Sequence, residues 1–123
     1  VFNILIRNQD DHVKNIAFLM DRTGAWRLSP AYDVAYAYNP SGPWTRQHQM
    51  SLNGKRDEFD LEDLIAFGAY CGFSRRRSQS LIAQVSAPVS AWRTYADDAG
   101  VYEVDAARIQ KALRLELKAA KPR

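Results

Sequence analysis

Two acids, a histidine, a lysine and an asparagine crowd into the six residues Asp10-Asp11-His12-Val13-Lys14-Asn15, between the apolar runs Ile4 to Ile6 and Ile16 to Met20. So many charges cannot run through a core as helix or strand, because each would have to be paired there. The cluster therefore reads as a loop. The run after it has strand length, Asp21-Arg22-Thr23-Gly24 is turn chemistry, and Trp26-Arg27-Leu28 reads as a second strand stopped by Pro30. The pattern predicts a β-hairpin with the polar cluster at one mouth and Asp33 just past its other end.

The rest of the chain changes texture. Asn39-Pro40-Ser41-Gly42-Pro43 is loop, and Asn53-Gly54 suits a tight hairpin turn. From Asp60 the periodicity is helical. Asp60 is a good N-cap, with Leu61, Leu64, Ile65, Gly68 and Ala69 at helical spacing, and Gly72 suits a left-handed stop. Ser74 caps a long helix whose apolar face takes in Leu81, Ile82, Val85, Val89 and Trp92, with Pro88 expected to kink or split it. A last helix from about Asp105 is predicted to carry Ile109, Leu113 and Leu117 on one face. The expected class is α+β, mainly α-helical, with one small hairpin.

Composition sets outer bounds. The 123 residues, 46% hydrophobic and 25% charged, make one globular domain or part of one, and exclude a disordered tail or a low-complexity linker. The apolar runs are too short for a transmembrane span. A single cysteine, Cys71, cannot close an internal disulfide, which points to a reducing compartment. A net charge of +3 suits anionic ligands without demanding nucleic acid. An apolar segment at residue one, with no initiator Met, predicts a fragment whose N-terminal portion is missing.

Asp33 lies eighteen positions after Asn15. A hairpin brings its ends together, so Asn15 and Asp33 should converge as two oxygen ligands for a hard cation such as Mg²⁺, which takes few protein oxygens plus waters and phosphate oxygens. Asp10 is then placed to accept a hydroxyl proton or hold the hydroxyl in line. Phosphoryl transfer needs this layout: a positioned nucleophile, metal-bound phosphates and little covalent work by the protein. Taken singly, each residue is also ordinary turn chemistry.

The Asp10–Asn15 segment, together with Trp26-Arg27-Leu28-Ser29-Pro30-Ala31-Tyr32-Asp33, resembles the catalytic segment of HipA-type serine/threonine kinases, the toxins of bacterial toxin–antitoxin pairs. The specific match covers about residues 3 to 36. The resemblance implies the C-terminal lobe of a protein-kinase-like fold, with residues 1–50 as the catalytic-loop and metal-binding segment and 51–123 as the helical part of the same domain. It implies Asp10 as the catalytic aspartate, His12 and Lys14 facing phosphates or bracing the loop, and Asn15 and Asp33 as Mg²⁺ ligands. Tyr32 would line the nucleotide site or pack in the core. Asp11 offers a rival register for the base, although the Asp-x-His spacing favours Asp10. ATP as substrate, a protein hydroxyl as acceptor, a HipB-like DNA-binding antitoxin as partner and a cytoplasmic location, with no membrane, follow from the same resemblance. DNA would be met only indirectly.

Two departures stand against it. Arg7 sits where many family members have Gly. No Gly-x-Gly and no strand lysine precede Asp10, so the ATP-binding lobe of a kinase is absent from this chain. The 123 residues alone are predicted not to turn over ATP, which an assay for protein phosphorylation by the isolated chain checks.

Three rival readings compete with this one. Residues 60 to 84 read helix, turn, helix, with Arg75-Arg76-Arg77-Ser78-Gln79 opening the second helix, as in a nucleic-acid-binding module. Ser78 stands against it, falling where such a helix packs an apolar residue. A non-catalytic kinase-like interaction module is the second. A metal-dependent hydrolase is weaker, since His12 is alone in the cluster and His48 falls in a loop, leaving no zinc-like set. Trp26, Trp44 and Trp92 read as core or loop packing.

Overall fold

The computed structural model describes residues 1–117; the end of the expected 51–123 helical region, 118–123, lies outside the described residues. The first apolar run winds into one turn of helix, α1 (Phe2–Leu5), which buries Ile4 and Leu5. The polar cluster follows as a loop ending in a single 3₁₀ turn at Val13–Asn15. Strands β1 (Phe18–Met20) and β2 (Trp26–Leu28) then pair antiparallel, Phe18 opposite Leu28 and Met20 opposite Trp26. The turn is closed by Asp21, whose Oδ1 accepts from Thr23 N at 2.8 Å and Ala25 N at 3.0 Å, with Gly24 at φ 85° supplying the left-handed residue.

Beyond the hairpin the chain comes back beside its own start. Asn8 and Ala37 form an isolated parallel bridge, with Gln9 N donating to Ala37 O and Ala37 N to Arg7 O, both at 3.1 Å. That clasp holds the ends of the segment containing the polar loop, the hairpin and Asp33. Asn53-Gly54 turns as its composition predicts, both residues left-handed, under a Leu52–Lys55 bridge.

The helical part starts at α2 (Leu61–Tyr70). Asp60 accepts from Asp63 N and Asp63 accepts from Asp60 N, both at 2.9 Å, a reciprocal capping box. The remaining helices are α3 (Arg75–Ser90, capped by Ser74), α4 (Trp92–Asp98) and α5 (Glu103–Ala112). The core gathers Ile4 from α1, Phe59, Leu64 and Ile65 from α2, and Ile82 from α3, with Leu52, Leu61 and Leu117 against its edge. α2 and α3 pack closely because both are small where they touch. A Cβ on Gly68 would sit 2.1 Å from Ser78 Oγ and 2.9 Å from its Cβ. Gly68→Ala is therefore expected to destabilise by about 1–3 kcal/mol, as overpacking does. Gly68→Ala combined with Ser78→Gly should recover part of the loss; urea unfolding of the two variants side by side checks this.

Three expectations need correction. α3 runs through Pro88 to Ser90 and the helix is interrupted at Ala91, so Trp92 opens α4 rather than extending the apolar face of α3. The last helix begins at Glu103 and ends at Ala112, because Leu113 turns extended (ψ 146°) and Arg114 N donates to Leu5 O at 2.9 Å. Leu113 and Leu117 thus leave the helical face, and Leu117 packs against the core from the irregular segment after α5. Trp26 and Trp44 are exposed rather than packed in a core.

Candidate catalytic loop and groove

The polar loop is held by its own backbone. Asp10 O accepts from His12 N at 3.0 Å and from Asn15 Nδ2 at 3.1 Å, and His12 O accepts from Asn15 N at 3.0 Å. Across the hairpin, Tyr32 OH donates to Lys14 O at 2.6 Å, and Asn8 Nδ2, buried, reaches Asp33 O at 3.3 Å. Asp33 itself is left-handed (φ 52°), a conformation Asp tolerates better than most residues.

Those ties leave a groove of about 580 Å³ lined by Asn15, Asp33, Tyr32, Asn8 and Ser29 among apolar neighbours such as Phe2 and Leu28. The hairpin thus brings Asn15, Asp33 and Tyr32 to one groove, while Asp10 is joined to it through Asn15. His12 and Lys14 are not in its lining. His12 Nδ1 is buried with no hydrogen-bond partner among the described residues, and the Lys14 side chain is exposed. Tyr32 is exposed, which removes the core-packing alternative for it.

The donor set suits a hard cation. Asn15 gives its Nδ2 to the loop, so the same amide leaves its Oδ1 as the free acceptor; Asp33 adds a carboxylate. Among the described residues no three His, Cys, Asp or Glu side chains cluster, so the softer transition-metal sets have no counterpart. One carboxylate plus one amide oxygen is what Mg²⁺ takes when phosphates and water fill its other positions.

Asp11 goes elsewhere. Its Oδ2 lies 2.8 Å from His48 Nδ1, and its Oδ1 accepts from Gln49 N at 2.8 Å and Met50 N at 3.4 Å. Burial by itself would push the Asp11 carboxyl up. The hydrogen bond from His48 and the two backbone N–H groups outweigh it, and the carboxyl is held below its usual range. Beyond His48 the network continues: Arg114 Nη1 approaches His48 Nε2 at 3.1 Å, Arg114 Nη2 pairs with Asp57, and Arg7 Nη1 lies 3.8 Å from Asp57. Burial, then the nearby Arg7 charge, brings the Arg114 guanidinium down to about 10.

Arg7 also explains its own departure from glycine. Its backbone is left-handed (φ 58°), which glycine adopts freely and arginine does not. Here the side chain compensates, donating from Nε to Ala112 O at 2.9 Å and lying 4.2 Å from the centroid of the Tyr38 ring.

His48, Arg114 and Asp57 escaped the sequence reading. Their partners are 37 to 66 residues away in the chain, and no local pattern marks them. The arginines of the nucleic-acid reading also find a local use: Arg75 makes a two-pronged contact with Glu62, at 2.8 and 2.5 Å, back across the α2–α3 turn. Ser78, apparently out of place in a helix pair, is the small residue that Gly68 requires.

A mainly helical domain with one small hairpin at a polar loop is the architecture of the kinase-lobe class that the loop motif resembles. Residues 1–92 match the HipA-like C-terminal domain family, and the chain belongs to that family. No curated protein and no solved structure matches the chain. Among the described residues no helix is long and apolar enough to cross a membrane.

Proposed function

We propose that this chain is the catalytic-lobe part of a HipA-like serine/threonine kinase that transfers the γ-phosphoryl group of ATP to a protein hydroxyl. The observation that carries the reading is the shared groove: Asn15 and Asp33, from opposite ends of the hairpin, line one cavity, and the Asp10 carbonyl accepts from Asn15 Nδ2. In this reading the Asp10 carboxylate holds the acceptor hydroxyl in line and takes its proton. Asn15 Oδ1 and the Asp33 carboxylate would hold Mg²⁺, which when bound neutralises charge on the β- and γ-phosphates. Tyr32 lines the nucleotide side of the groove and, through Lys14 O, keeps the two halves of the site together. His12 and Lys14 serve the phosphates or brace the loop. A protein substrate, a HipB-like antitoxin partner and a cytoplasmic location belong to the same proposal.

The test is transfer of label from γ-labelled ATP to protein serine or threonine by the full-length protein with Mg²⁺. Asn15→Ala should raise the Mg²⁺ concentration for half-maximal rate by at least the roughly 10–100-fold that losing even an outer-shell metal partner costs. Absence of transfer by the full-length wild-type protein would sink the proposal, and an unchanged Mg²⁺ requirement in Asn15→Ala would remove Asn15 from the ligand set.

A further inference from the structure

We infer that His48 is a positioning residue for the catalytic loop, acting through Asp11, an inference that rests on the phosphoryl-transfer reading of Asp10. His48 is 1% exposed, and its ring meets Phe59 edge-on at 5.3 Å between centroids. Its two nitrogens face partners of opposite demand. The guanidinium of Arg114, 3.1 Å from Nε2, can only donate, so Nε2 must accept. The ring proton therefore stands on Nδ1 and is donated to Asp11 Oδ2 at 2.8 Å. With Gln49 N and Met50 N on Oδ1, one short segment, residues 48–50, grips both oxygens of the Asp11 carboxylate.

That grip matters to the neighbouring residue. The Asp10 side chain makes no hydrogen bond among the described residues; only its carbonyl is bonded, to His12 N and Asn15 Nδ2. Its direction is set by the backbone, and the nearest fixed side chain on that backbone is Asp11, one peptide away. His48 thus orients Asp10 without reaching the groove, since it is not among the groove's lining. Arg114 fixes the tautomer from behind, and Asp57 in turn neutralises Arg114 and sits beside Arg7, so the loop's anchor reaches from the start of the chain to the segment after α5.

Two amides separate the contacts. In His48→Asn the side-chain N–H₂ falls near the place of Nδ1 and keeps a donor to Asp11. In His48→Gln the carbonyl falls near the place of Nε2 and keeps an acceptor for Arg114 but loses the donor. In the full-length protein, His48→Gln is expected to lower kcat by about 10–100-fold, the scale of a small misplacement of a catalytic group. KM for ATP should stay within about twofold, as when only transition-state interactions are lost. His48→Asn should restore most of kcat. Hydrogen exchange of the peptide spanning residues 9–16 should speed up in His48→Gln and not in His48→Asn, while peptides from α2 and α3 stay unchanged. Equal loss in both variants, or unchanged exchange at 9–16 in His48→Gln, would overturn the inference. Nitrogen shifts of His48 in the wild-type protein showing the proton on Nε2 would overturn it without any variant. If the wild-type protein transfers no phosphate, the kinase reading fails, while the exchange contrast still reports on the grip.

Discussion

Asp10→Asn in the full-length protein is expected to lower kcat for phosphoryl transfer by about 10²–10⁴-fold, the range that a positioned acid or base supplies. Stability should change by no more than about 0.5 kcal/mol, because the substitution keeps size and shape and the side chain has no hydrogen-bond partner to lose among the described residues. ATP affinity should change little, since the groove is lined by Asn15 and Asp33 and not by Asp10. Steady-state kinetics beside a thermal melt check all three. Near-wild-type kcat in this variant would remove Asp10 from the chemistry.

Its neighbour should behave in the opposite way. Asp11→Asn is expected to destabilise by about 1–3 kcal/mol, the cost of leaving a buried hydrogen-bonding group without its partner. An amide has one oxygen and one N–H₂, so it cannot accept from His48 Nδ1 on one side and from Gln49 N and Met50 N on the other; one donor is left facing another. Against a total stability of about 5–15 kcal/mol, a loss of that size is a large fraction of the whole and lowers the urea midpoint. The pH dependence follows from the lowered carboxyl. A carboxylate held below its unfolded value contributes stability above about pH 4, and that stability is lost as pH falls through the lowered folded value. Wild-type stability should therefore drop in acid below about pH 4 more steeply than that of Asp11→Asn, as urea midpoints measured between pH 2 and pH 7 would show. Parallel acid profiles for the two proteins would contradict the role of Asp11 as an anchored anion.

The pair Asp10 and Asp11 also shows what a motif can and cannot say. Asp-x-His spacing favours Asp10, but both residues are carboxylates in one loop and nothing local separates them. The distinction comes from His48, 37 residues on, which occupies the Asp11 carboxylate and leaves that of Asp10 unpaired among the described residues. Likewise, Arg7 looks like a departure from glycine until its left-handed backbone and its contacts with Ala112 O and Tyr38 are seen together.

Much of the secondary structure was legible because its causes are local. Asp60 and Ser74 cap helices through side-chain bonds to backbone N–H groups three residues ahead, and Gly24, Gly54 and Gly72 take left-handed backbone where composition places turns. The hairpin, and with it the approach of Asp33 to Asn15, follows from one turn and two short strands. The sequence by itself therefore determined the hairpin, the helix caps and the approach of Asp33 to Asn15, since each depends on residues within about twenty positions. Only the tertiary structure decided where α5 ends and which of two adjacent acids is structural. Those outcomes depend on distant partners: Leu5 O for Arg114 N and His48 for Asp11. Short-range hydrogen bonds are written in spacing; buried polar contacts between remote segments exist only once packing has brought them out of water.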